Sequence, residues 1–119
     1  MIDNVKYVRE DAIQKVETNV DGLERSIIRT YSAGVFIGYV KERKAELNGV
    51  NIKLLNSRRL WSWSGACSLS QLAVDGTINP DGCKFSVTVQ EQEINNVIEI
   101  IPVTEKASKS IDEVKEWKR

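Results

Sequence analysis

The spacing of apolar residues changes along the chain, and each change marks a boundary between elements. Val5, Val8, Ala12, Ile13, Val16 and Val20 recur at steps of three and four, the spacing of one helical face, and Gly22 follows as a stop. That spacing predicts an N-terminal helix over 5–20. From Leu23 the pattern turns to runs of Ile, Val, Phe and Tyr, LERSIIRTY and then GVFIGYVKER, which read as strands because branched and aromatic side chains suit a pleated, half-buried surface. Ser32, Ala33 and Gly34 lie between them as a small-residue hinge, where a sheet corner, a bulge or a close backbone approach is expected. Asn48 and Gly49 carry a hairpin signal, and a strand over 50–55 follows.

Residues 58–64 continue as a strand, and alternation puts Arg59, Trp61 and Trp63 on one face with Arg58, Leu60, Ser62 and Ser64 on the other. Ser68 followed by Gln71 reads as a capping box ahead of Leu69, Leu72 and Ala73, and Gly76 stands at the stop, so SLSQLAVD is a short helix. Asn79, Pro80, Asp81 and Gly82 form a type I turn. The stretch 84–90 alternates Phe85, Val87 and Val89 against Lys84, Ser86 and Thr88, a half-buried strand, and 95–103 is a second, more apolar one. The closing TEKASKSIDEVKEWKR has a narrow apolar helical face of Ala107, Ile111, Val114 and Trp117, with Ser110 and Glu113 as a cap for a late start. The predicted fold class is α+β, in one domain spanning 1–119: an antiparallel β-sheet core with an N-terminal helix, a short central helix and a C-terminal helix.

Composition narrows the chemistry. Lys plus Arg and Asp plus Glu balance at 17 each, so no net field exists to hold a nucleic acid polymer. Charges occupy the first residues where a secretion signal needs an apolar run, and no stretch has the length of a membrane span; the expected location is the cytoplasm, with no membrane partner. The chain has no histidine, which removes the commonest general acid/base and transition-metal ligand. Cys67 and Cys83 are too far apart for a zinc pair, so neither a metal nor a cofactor is expected, and both thiols read as reduced and half-buried.

Local chemistry concentrates in RRLWSWSGACSLSQ. A strand, a small-residue turn and a helix start favour an anion at Ser64, Gly65 and Ala66, although no glycine-rich phosphate fingerprint is present and an ordinary turn reads equally well. Arg59 beside two tryptophans suits a stacked purine with its phosphate, or plain cation–π packing. Neither Arg58 nor Arg59 can be fully buried without a partner. Ser32, Ala33 and Gly34, with Phe36 just beyond, are candidates for a cavity wall. By residue type alone Phe85 reads as core, Asn95 and Asn96 as turn residues or amide donors to a ligand, and Lys106 and Lys109 as solvated.

SIIRTYSAGVFIGYV, RRLWSWSGACSLSQLAVDG, CKFSV and VIEIIPVTEKASKSI together resemble the Thoeris anti-defence family, the first-described group of phage proteins that sequester cyclic ADP-ribose signals. The resemblance extends from Leu23 to Trp117. It implies a non-enzymatic sponge that holds glycocyclic ADP-ribose in recessed pockets between protomers without cleaving it. It also implies a second site for cyclic trinucleotides, formed when homodimers assemble into a hexamer. The family's pocket Phe and Asn fall at Phe85 and Asn95, and its basic helix residues at Lys106 and Lys109, where this chain has lysine in place of arginine. Two other readings stay open: an enzyme that opens the cyclic nucleotide with Glu99 or another carboxylate as base, and a protein-binding inhibitor that uses exposed tryptophans as hot spots.

Overall fold

The computed structural model describes residues 15–47 and 49–118. Among them the chain forms five strands and two α-helices: β1 (Arg25–Thr30), β2 (Val35–Glu46), β3 (Gly49–Ser62), α1 (Leu69–Asp75), β4 (Lys84–Phe85), β5 (Val89–Pro102) and α2 (Glu105–Asp112). All the pairings between strands are antiparallel, as the α+β reading expects. The order is β2–β1–β5–β3–β4, and β2 also pairs with β3, so the first four strands close on one another.

Closure follows from long strands that change partner. β5 lies along β3 at Ile94 opposite Ile52, then along β1 at Ile100 opposite Ile28, and Val97 faces both Val50 and Thr30 at the switch. A chain that bends this sharply needs irregular positions, and β2 slips register between Ile37 and Tyr39. Gly38 sits at that slip, where a Cβ would come within 3.1 Å of the Ser57 Cβ. The strands cross closely enough there that a side chain would force its neighbours to shift.

Alternation along the strands then makes two cores. Ile28, Phe36, Ile52, Leu54 and Ile94 point inward and fill the closed sheet. Their neighbours Ile27, Ile37, Leu60 and Phe85 point outward and are covered by Leu72 of α1 and Ala107 and Ile111 of α2. Arg25, only 4% exposed, pins α2 to β1: its Nη1 donates to Ser108 Oγ at 2.6 Å and its Nη2 lies 2.9 Å from Asp112.

Several sequence expectations need correcting. Most of the expected N-terminal helix lies outside the described residues, and its described end is not helical: Val16 bridges Thr104 and Thr18 bridges Glu24. The two strands expected over 50–55 and 58–64 are one, because Asn56 takes a left-handed φ of 51° and absorbs the irregularity without breaking the strand. The strand expected over 84–90 stops at Phe85, since Ser86 Oγ accepts from Arg59 N–H and donates to the Val87 carbonyl. Val87 and Val89 are consequently exposed. Thr104, not Ser110, caps the last helix, which ends at Asp112. No helix among the described residues is long and apolar enough to cross a membrane.

Candidate functional site

Arg58 and Arg59 are adjacent on β3 and therefore point to opposite faces of it. Arg58 runs beneath α2 and is 5% exposed. Its Nε donates to the Ser86 carbonyl at 2.9 Å, and its Nη1 and Nη2 donate to the carbonyls of Ile111 and Val114 at 3.2 and 3.0 Å. The last carbonyls of a helix have no partner within it, and a cation there also meets the negative end of the helix dipole. Burial lowers the pKa of Arg58 from its ordinary value, Asp112 opposes that, Arg25 adds to it, and Glu116 again opposes. With all three nitrogens engaged by backbone, Arg58 has nothing left for a phosphate.

Arg59 emerges on the other face. Its guanidinium carbon lies 4.6 Å from the Phe36 ring centre and 5.4 Å from that of Trp61. Its Nε is buried without a hydrogen-bond partner. Of the arginine pair, Arg59 alone keeps its charge unspent among the described residues.

The turn from β3 into α1 is closed by its own groups. Gly65 has a φ of 80°, and a Cβ there would come within 2.5 Å of Thr77 Oγ1, so the turn admits only glycine. Thr77 Oγ1 donates to the Ser64 carbonyl and accepts from Asn79 N–H, while Cys83 Sγ accepts from Ser64 N–H at 3.4 Å. Two further N–H groups around the start of α1 are occupied by side chains: Cys67 N–H bonds Gln71 Oε1 at 2.7 Å and Gln71 N–H bonds Ser68 Oγ at 3.1 Å. Ser64, Gly65 and Ala66 are half-buried parts of this knot. Cys67 is exposed and Cys83 buried, where both were expected half-buried.

At the far end of β3, Asn51, Asn95 and Asn96 line a recess of about 420 Å³ with Glu46 and Leu47. Asn96 has a φ of 57°, a conformation asparagine tolerates better than most residues, and it stands where β5 changes partner. Its N–H donates to Asn51 Oδ1 at 3.2 Å, and its carbonyl accepts from Tyr31 N–H at 3.0 Å. The exposed Ser32–Gly34 turn follows Tyr31 in the chain but does not line the recess; it is tightened by Thr30 Oγ1, which accepts from Ala33 N–H and donates to the Gly34 carbonyl. Asn95 is exposed beside Asn96.

Residues 23–111 match a family described as a domain of unknown function, DUF6948. The chain belongs to the DUF6948 family. No curated protein and no solved structure matches it.

The matched span of this DUF6948 domain holds both arginines and the amide recess but stops short of Trp117. Within it, the candidate residues divide into two groups. Phe85 pairs with Leu60, nine positions along β3 from Asn51, at most about 30 Å of strand. Phe85 and Asn95 therefore lie toward opposite ends of β3, and Phe85 does not line the recess. Phe36 and Phe85 have no exposed surface, so as ligand-stacking residues both are corrected to core. Lys106 lies 3.7 Å from Asp75 in an exposed pair, and Lys109 sits exposed in the last turn of α2. Trp63, expected to share a face with Trp61, lies beyond the end of β3 and packs on the outer core. Trp61 instead stays 57% exposed against Trp117. Asn51, Lys84 and Trp117 carried no site signal; asparagine within a strand, as at Asn51, is the one anomaly that pointed their way.

Proposed function

We propose that this DUF6948 domain is a non-catalytic phage anti-defence protein that binds a cyclic ADP-ribose-type immune signal and sequesters it uncleaved in the cytoplasm of the infected bacterium. The observation that carries the reading is the amide recess. It contains Asn95, which the family resemblance assigns to a nucleotide pocket, and its volume falls in the range of roughly 300–1,000 Å³ usual for small-molecule sites. Amides of Asn51, Asn95 and Asn96 suit the hydroxyls of two riboses and the edge of adenine.

The recess holds no cation among its lining residues and is open on one side, so the pyrophosphate has to be met from elsewhere. A second copy supplies it. Lys106 and Lys109, which the resemblance assigns to the same pocket, do not line this recess and reach it from the partner copy of a homodimer. A cyclic trinucleotide site in a hexamer belongs to the same reading. The competing enzymatic reading finds Glu99 on the surface, accepting from Arg29 Nε at 2.8 Å, with its carboxylate already engaged.

Sequestration requires nanomolar affinity, about −12 kcal/mol. Isothermal titration with glycocyclic ADP-ribose is expected to give tight, stoichiometric binding that Asn95→Ala weakens while leaving the fold intact. Absence of binding to the unmodified protein refutes the reading.

A further inference from the structure

Away from the recess, one row of side chains keeps both charge and aromatic surface unspent. Arg59 packs against both Phe36 and Trp61. Trp61 meets Trp117 edge to face, with ring centres 6.2 Å apart and an interplanar angle of 70°, and Lys84 Nζ lies 5.3 Å from the Trp117 ring. The order is cation, indole, indole, cation. Both indoles are more than half exposed. Among the described residues neither Arg59 nor Lys84 forms an ion pair, and Glu116, beside Trp117 in the chain, is held by Lys118 at 3.4 Å.

This arrangement differs from ordinary packing in two respects. The Arg59 guanidinium lies against two aromatic rings with no carboxylate on it among the described residues, and the free edge of a guanidinium takes two oxygens of one phosphate. Two half-exposed tryptophans in contact offer indole faces on which a purine stacks. Their neighbour Trp63, packed against the outer core, shows what a structural tryptophan looks like in this chain.

We infer that Arg59, Trp61, Trp117 and Lys84 form a binding site for a purine nucleoside diphosphate, with the base on the indoles, the diphosphate on Arg59, and Lys84 at the far end of the row adding positive charge. Arg59 is eight positions along β3 from Asn51, about 25 Å by strand rise, so this site is separate from the recess of the same copy. It needs no cyclic ligand. The inference therefore stands or falls independently of the sequestration reading.

The test follows the three tryptophan indole N–H resonances, assigned with single Trp→Phe variants, while ADP is added to the full-length protein. Saturating shifts at Trp61 and Trp117 with Trp63 unmoved are expected. Arg59→Gln weakens the binding about tenfold or more, as loss of a charge-assisted hydrogen bond requires, and Lys84→Gln weakens it less. The exposed Lys84→Gln keeps the test decisive if Arg59→Gln disturbs the Phe36 contact. Three outcomes overturn the proposal: no saturable shift, equal movement of all three indoles, or unchanged affinity in both variants. The first would leave the indoles as a surface for protein docking. Capture of glycocyclic ADP-ribose without any ADP effect sinks this site alone, and the converse sinks only the sequestration reading.

Discussion

Replacing Arg58 by methionine keeps an unbranched apolar stem and removes every donor it offers to α2 and to the turn after β4. Three charge-assisted hydrogen bonds are lost, to the carbonyls of Ser86, Ile111 and Val114. Each such bond contributes about 1.5–3 kcal/mol net, but removing a charge that is 5% exposed also relieves its desolvation, so the terms do not add. A net loss of about 3 kcal/mol is expected. In a domain of this size that lowers the melting temperature by roughly 10–15 °C. Arg59→Met is the control, since among the described residues the Arg59 guanidinium makes no hydrogen bond and the residue is part-exposed; its cost should stay within about 1 kcal/mol. Urea and thermal unfolding followed by circular dichroism measure both. If Arg58→Met is as stable as the parent while Arg59→Met is not, the division of the pair into one structural and one free arginine is wrong.

Other outcomes follow from single contacts. Gly65→Ala forces a Cβ to within 2.5 Å of Thr77 Oγ1 at a φ of 80°, and should cost about 2 kcal/mol or more in an unfolding titration. A thiol reagent should label Cys67 at once in the native protein and Cys83 only as the protein unfolds; equal rates would mean that the Ser64–Thr77 knot does not enclose Cys83. Burial raises the pKa of Tyr39 above its ordinary value, with Arg25 opposing and Glu17 adding to the rise. The folded state thus holds that proton more tightly than the unfolded chain. Its contribution is intact below about pH 10 and is lost as the pH climbs through the folded value, so Tyr39→Phe should flatten the alkaline fall in urea midpoint.

The sequence pattern was a good guide where the signal was local. β1 and β2 are legible because Ile27, Ile28, Phe36 and Ile37 form apolar pairs bounded by a small-residue turn. The Ser68–Gln71 cap and the Gly76 stop are legible because each acts within one helical turn. What the pattern could not carry was contact at a distance. Val16 and Val20 have helical spacing, yet the described part of that segment is extended, held by the bridge from Val16 to Thr104 far along the chain. Arg58 and Arg59 are the same residue type in neighbouring positions; which one is spent depends on where α2 lands on β3. Phe85 read as core by residue type and as pocket only through the family resemblance, and its place under α2 decides for core in a single copy. Asn95 and Asn96 were legible as anomalies in an apolar strand, but their meeting with Asn51 depends on the partner switch of β5.

The central claim, capture of a cyclic ADP-ribose-type signal without turnover, is tested most directly by recovering the ligand. Protein saturated with glycocyclic ADP-ribose, washed and heated to unfolding, should release the intact cyclic nucleotide in stoichiometric amount, as read by liquid chromatography and mass spectrometry. Release of linear ADP-ribose, or clearance of a molar excess by substoichiometric protein, would contradict it.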